Sequence, residues 1–513
     1  RRRSQRTPRT RTRAPERLGS RLGAMRLLLL LWARRAAALQ PLKPRYIVVF
    51  RDTQAAFRSE DFRCVQRLPG SAAAGDAAGA ACGVVESVSC ANDAAALALA
   101  RRSVLVKYVI EEYGRGPNLE AAAALECAPA SLECLAADAE RSWRVASLHV
   151  GASHGRSKLR CNFDADELRL LSPHTNTLAG EVNLKNATDT LAIIYQYGSS
   201  DRSSLETCWF GRLVATGDGG DLLTKYKLTD RPYIGSTTMD AELALIMARA
   251  ARVEAGSLVL DPFAGTGGVL LATTHFSKTQ GWAADVDARV LLAGTPHCDD
   301  GAVSLKDQVL VDAVLAKKRK KRKPSAPRDV DAGIAANFDA ARLPRPRLVV
   351  ADVRRLDDAL DDEKAYFDDE GDVERGVIFD AIVTDPPYGV RERIASADET
   401  GRADWLGALY DVALKRLKPG GRLVFWLPSS QEAAPRINAA FVDAPAPLRW
   451  VSCATQDLAG GWARTLVVLE RDEAGLPSAA ASSTTSAAAG VYLEMADKWR
   501  AAGAKAGGSA NVD

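Results

Sequence analysis

Leu258-Val259-Leu260-Asp261-Pro262-Phe263-Ala264-Gly265-Thr266-Gly267-Gly268 reads as a short apolar strand, a tight glycine-rich turn and the first residue of a helix. The apolar stretch Val269–Phe276 that follows has helical length. Glycine lets backbone approach a ligand where a Cβ would collide. The Lys-Ser/Thr pair of a phosphate-gripping loop is missing, so a nucleotide held by its phosphates is not the natural reading. A plain tight turn is the bland alternative. Asp261, at the strand end, is placed to meet a ligand's cationic amino group or, through water, its carboxylate. Phe263, Gly265, Thr266 and Gly267 complete the candidate cofactor loop.

The rhythm of strand, turn and helix continues outward from this loop. Ser257–Leu260, Gly281–Ala284, Leu348–Ala351, Ile378–Thr384 and Arg422–Leu427 are short apolar runs separated by helical or polar stretches. Such alternation predicts an α/β fold, a Rossmann-like doubly wound and mainly parallel sheet, over residues 230–472. Ligands of these sheets bind beyond the carboxyl ends of the strands.

Two further carboxylates sit at such ends. Asp285 follows the second strand, and an acid there hydrogen-bonds ribose hydroxyls in this fold; Asp287 is the near alternative. Asp352 follows the third strand, where it can accept from an adenine amino group. Carboxylates ending three successive strands would repel phosphates. They point to S-adenosylmethionine rather than a nicotinamide dinucleotide, although a dehydrogenase competes on those residues alone.

Asp385-Pro386-Pro387-Tyr388-Gly389 comes directly after the apolar run Ile378–Thr384. Successive prolines fix φ and stiffen the loop. An exocyclic amine of a base is a poor nucleophile because its lone pair is delocalised into the ring. Asp385 and the Pro386 carbonyl can accept its two N–H bonds, and Asp385 can take the proton as charge develops. Tyr388 offers a flat face on which an extruded base can stack. In-line placement of nitrogen, carbon and sulfur completes the requirement, and no metal is called for. The element matches the D/N-P-P-Y signature of amino methyltransferases, which act on adenine N6, cytosine N4 or guanine N2. It specifies the chemistry and leaves the base open.

Outside this region, Arg45–Phe50, Ser103–Ile110 and Trp143–Val150 read as strands, and residues 45–215 as an α+β domain. Within it, Gly180–Leu184 is expected to lead into a helical segment that reaches Tyr197 and stops at Gly198. Cys208 and Trp209 are assigned to a domain junction, and His275 to packing. The seven-residue basic run Lys317–Lys323 lies in an insertion at 300–330 and reads as a solvated loop, with nuclear targeting or RNA contact as the sharper alternative. Residues 473–513 read as a low-complexity tail with a short helix near Val491–Arg500. The Arg-rich leader, 1–44, is expected to be disordered or not translated, a targeting peptide being the other reading. Its apolar run Leu27–Leu31 is far shorter than the ~20 residues of a membrane span.

Composition sets only loose bounds. The 513 residues carry 47% hydrophobic and 26% charged side chains, as in ordinary globular proteins. A formal net charge of +4 does not announce a nucleic-acid binder, so any such surface must be local. The nine cysteines include no CxxC pair, which argues for reduced packing thiols in a cytoplasmic protein.

Several segments, in order, resemble the catalytic subunits of tRNA (guanine-10-N2) methyltransferase. They are Glu181–Gly198, Phe210-Gly211-Arg212 with Ala215, Ile234–Leu243, Asp261–Leu271, Asp285-Val286-Asp287 and Ile382–Glu392. The resemblance covers about residues 45–470 and is strongest over 205–290 and 378–392. It implies S-adenosylmethionine as cofactor, a guanine N2 in tRNA as acceptor, and a THUMP-type tRNA-binding domain at 45–215. It also implies a small zinc-binding activator subunit as partner. The Gly235–Leu243 segment favours position 10 over other tRNA guanines. A DNA adenine-N6 methyltransferase, or an RNA-binding protein with a degenerate catalytic fold, are the competing readings. The basic run, the Ala-rich N-terminal region and the Arg-rich leader depart from the family.

Overall fold

The computed structural model describes residues 44–61, 73–74, 84–126, 128–151, 158–198, 204–235, 238–292, 333–361, 376–387, 405–432, 434–442, 447–458 and 461–472. The leader up to residue 43, the Lys317–Lys323 run, Tyr388 and the tail from 473 lie outside them. The described residues contain two seven-stranded sheets.

The N-terminal sheet holds β1 (Arg45–Phe50), β2 (Ala73–Ala74), β3 (Val85–Cys90), β4 (Val106–Gly116), β5 (Trp143–Val150), β6 (Asp189–Tyr197) and β7 (Leu205–Thr216) in the order β2-β3-β1-β4-β7-β6-β5. All its pairings are antiparallel except β5 with β6, which run parallel. The helix Ala165–Thr175 connects that parallel pair, opening on a capping box in which Asp164 and Glu167 satisfy each other's backbone N–H groups.

The helix expected before Gly198 is instead strand β6. Its run is apolar without a period because both faces are covered. Leu191, Ile193 and Tyr195 enter one core cluster, and Ala192 and Ile194 the cluster on the opposite face. A doubly buried strand and a buried helix look alike in such a run. Cys208 and Trp209 are likewise corrected: they lie inside β7, split between the same two clusters. Two cysteines expected to pack, Cys134 and Cys161, are exposed.

The second sheet comprises β8 (Val259–Asp261), β9 (Trp282–Asp285), β10 (Arg347–Val350), β11 (Phe379–Thr384), β12 (Leu417–Ser430), β13 (Leu448–Asp457) and β14 (Trp462–Arg471), ordered β10-β9-β8-β11-β12-β14-β13. The first five positions run parallel, and β14 and β13 close the edge as an antiparallel hairpin. Strand order reverses between β8 and β11, so this is a doubly wound Rossmann-like sheet whose switch point lies between them. Both sheets belong to one compact unit. They meet through Phe57, whose ring stands edge-on to Trp426 at 5.6 Å, and through Thr53, whose hydroxyl donates to Glu242 at 2.7 Å.

Candidate active site

The site forms where β8, β9 and β11 end side by side. Asp261, the last residue of β8, is 1% exposed. Its Oδ1 accepts the Phe263 N–H at 3.1 Å, which opens the glycine turn. The same oxygen accepts the Thr384 hydroxyl at 2.6 Å. Burial pushes the Asp261 carboxyl up to about 7; the two hydrogen bonds oppose that rise, and the charges of Asp285 and Asp385 add to it. Removing a carboxylate from water disfavours its charged form, and nearby negative charge does the same.

Asp285 ends β9 and holds the loop from the other side. Its Oδ2 accepts the Gly265 N–H at 3.0 Å and its Oδ1 the Asp287 N–H at 2.9 Å. Asp285, rather than Asp287, is therefore the acid that touches the glycine turn. Thr266 is fixed twice: its hydroxyl lies 2.8 Å from that of Thr238, and its carbonyl accepts from Asn337 at 3.1 Å.

The two turn glycines serve different ends. Gly265 has φ +52°, and among the described residues a Cβ there would find nothing nearer than the Phe263 carbonyl at 3.9 Å, so its outer side is open among them. Gly267, at φ +78°, would drive a Cβ to 2.5 Å from Ile334 Cγ1. Its bareness makes room for the helix Ile334–Ala341. Phe263 is half-buried, edge-on to Trp405 at 6.0 Å.

Asp352 stands two residues beyond β10, whose end is tied to β9 by the Ala351 N–H donating to the Asp285 carbonyl at 3.1 Å. Its carboxylate accepts the Arg354 backbone N–H at 3.0 Å and the Arg354 guanidinium at 2.6 Å. An adenine amino group would have to share it with that arginine. Asp385 is half-buried and Pro386 buried, directly after Thr384. Asp261, Gly265, Asp285, Thr384 and Asp385 are thus gathered around one switch point, with Asp352 two strands away.

The sequence reading missed Thr384, Thr238, Tyr233 and Asn337. Thr384 carried a faint signal, a hydroxyl closing an apolar strand. Asn337 carried none. His275 packs as expected, its Nδ1 2.7 Å from the Tyr226 hydroxyl. Among the described residues no His, Cys, Asp or Glu cluster is arranged to hold a metal ion, and no helix is long and apolar enough to cross a membrane.

The strand order and the loops at its switch point define a Rossmann-like, doubly wound fold. In sequence the chain resembles the tRNA (guanine(10)-N(2))-methyltransferases. It is 31% identical to TRMT11 of Rattus norvegicus over 57% of this chain and 59% of that protein. It is 28% identical to TRMT11 of Gallus gallus over 73% of this chain and 76% of that one. The chain therefore spans about three fifths of the Rattus norvegicus relative's length. No family model matches it. Among solved structures, TrmN from Thermus thermophilus is similar over 83% of this chain and 99% of its own, with 17% identity and a TM-score of 0.35.

Proposed function

We propose that this chain transfers a methyl group from S-adenosylmethionine to the exocyclic N2 of a guanine in tRNA, at position 10. The observation that carries the reading is the seating of the glycine turn and the Asp385-Pro386 element on opposite sides of one switch point. There the acceptor loop and the cofactor loop share the buried Asp261. The relatives' printed names support the base and the position.

The residues fit that cofactor. The negative charges of Asp285 and Asp385 both bear on Asp261, an environment hostile to phosphate. The open side of Gly265 leaves room for close approach. When bound, S-adenosylmethionine supplies an activated methyl group on sulfur. Asp285 stands at the end of β9, where an acid of this fold accepts from ribose hydroxyls. Asp385 accepts one N–H of the guanine amine and the Pro386 carbonyl the other, turning the nitrogen lone pair toward the methyl carbon. Asp385 then takes the proton that the nitrogen releases. Tyr388 stacks the flipped base.

On the same reading, the N-terminal sheet is a THUMP-type tRNA-binding domain over 45–215. A small zinc-binding activator subunit pairs with the chain, and the complex works in the cytoplasm. Asp385→Ala tests the chemical role. Methylation of unmodified tRNA is expected to fall at least about 100-fold, on the scale of a lost general base, while S-adenosylmethionine affinity stays nearly unchanged. A matching loss of affinity refutes the role given to Asp385.

A further inference from the structure

Thr384 is the last residue of β11 and is 0% exposed. The residues before it, Ala381, Ile382 and Val383, are apolar and equally buried. Valine would match this position in shape and in strand preference. A buried hydroxyl costs free energy unless it is bonded, so its presence demands a partner. That partner is Asp261 Oδ1, at 2.6 Å.

The location of the bond gives it its meaning. The ladder between β8 and β11 runs Ala381↔Val259 and Ile382↔Leu260. Beyond that register β8 runs on to Asp261 and the glycine turn, and β11 to Thr384 and Asp385. The Thr384–Asp261 bond continues the connection past the ladder. The oxygen it uses is also the one that receives the Phe263 N–H. One carboxylate oxygen thereby sets both the start of the cofactor turn and the start of the acceptor loop.

We infer that Thr384 is a positioning residue for methyl transfer: through its bond to Asp261 it fixes the distance between the Asp385-Pro386 acceptors and the cofactor loop. The inference rests on the methyltransferase reading above. Thr384 touches neither the transferred methyl nor the base, and it acts through the backbone of Asp385. Misplacing reacting groups by about 1 Å costs on the order of 100-fold in rate. The effect therefore belongs to turnover and not to cofactor affinity.

The test compares the full chain, with its activator, as wild type, Thr384→Val and Thr384→Ser. Single-turnover transfer from labelled S-adenosylmethionine to unmodified tRNA is measured beside cofactor affinity by calorimetry. Thr384→Val is expected to lower the transfer rate about 10- to 100-fold with cofactor Kd within about 3-fold of wild type, and Thr384→Ser is expected to restore most of the rate. If Thr384→Val is too unstable to assay, Thr384→Ser still tests the inference, because positioning requires the hydroxyl alone to sustain near-normal transfer, and a large loss of rate in Thr384→Ser overturns it. Wild-type rates in Thr384→Val, or a Kd that rises in step with the lost rate, overturn the inference while the methyltransferase reading stands. A wild-type chain that labels no nucleic acid overturns that reading and this inference with it.

Discussion

Asn337 and Tyr233 close a ring of two hydrogen bonds: Asn337 Nδ2 donates to the Tyr233 carbonyl at 2.8 Å, and the Tyr233 N–H donates back to Oδ1 at 3.0 Å. The second amide hydrogen of Asn337 reaches the Thr266 carbonyl. A buried side chain from one helix thus pins the segment before Gly235 to the glycine turn. Asn337→Leu would leave three backbone groups unsatisfied, at a cost of about 2–4 kcal/mol. Urea unfolding checks the stability, and cofactor affinity is expected to fall in parallel. A change under about 0.5 kcal/mol would mean that water replaces the amide without loss.

Gly267 and Gly256 form a matched pair. Both have positive φ, +78° and +90°, but among the described residues only Gly267 has a neighbour that a Cβ would strike, Ile334. Gly256→Ala is expected to cost only the left-handed backbone strain, about 1 kcal/mol. Gly267→Ala is expected to cost at least about 2 kcal/mol more, through overpacking. Thermal unfolding of the two variants side by side measures the difference, and equal losses would remove the packing role of Ile334.

Asp261 links stability to pH near neutrality. Its folded carboxyl titrates at about 7 against an ordinary 3.8, so the folded chain binds the proton more tightly than the unfolded chain does. The resulting stability is fully present below the unfolded value and is lost as pH rises through about 7. Asp261→Asn keeps an acceptor for Thr384 and Phe263 but removes the charge. Its melting temperature relative to wild type is expected to climb as pH is raised from about 5 to about 8. A difference independent of pH would show that the group does not titrate there.

Glu470 works in the opposite sense. It accepts from Arg422 and Arg252 at 3.0 Å each and from Arg449 at 2.5 Å. Although burial opposes it, the three guanidiniums hold its carboxyl below the usual range. This contribution is present above the unfolded pKa and is lost as pH falls through the lowered one. Glu470→Gln leaves Arg422, at 1% exposure, without its counter-charge, and a loss of about 3–5 kcal/mol is expected from chemical unfolding.

Local pattern made most of the site readable. Asp261, Asp285, Asp352 and Asp385 each follow an apolar run, and β1, β5 and β8 to β11 lie within a few residues of runs read as strands, whereas β3, β7, β13 and β14 were not read at all. Where the pattern had no period it misled: β6 reads as helix because its two faces are both buried. Contacts between distant segments left no local trace. Asn337 lies 71 positions from Thr266, and Thr384 lies 123 from Asp261. The clash that keeps Gly267 bare is of the same kind, since it comes from Ile334, 67 positions away in sequence and on another element.

The measurement that bears most directly on the central claim is identification of the product. The full chain, with the proposed activator subunit, is incubated with labelled S-adenosylmethionine and unmodified tRNA, and the RNA is digested and its nucleosides separated. The account predicts label in N2-methylguanosine, mapping to position 10. Label in any other nucleoside, or in DNA adenine alone, would contradict the substrate assigned here.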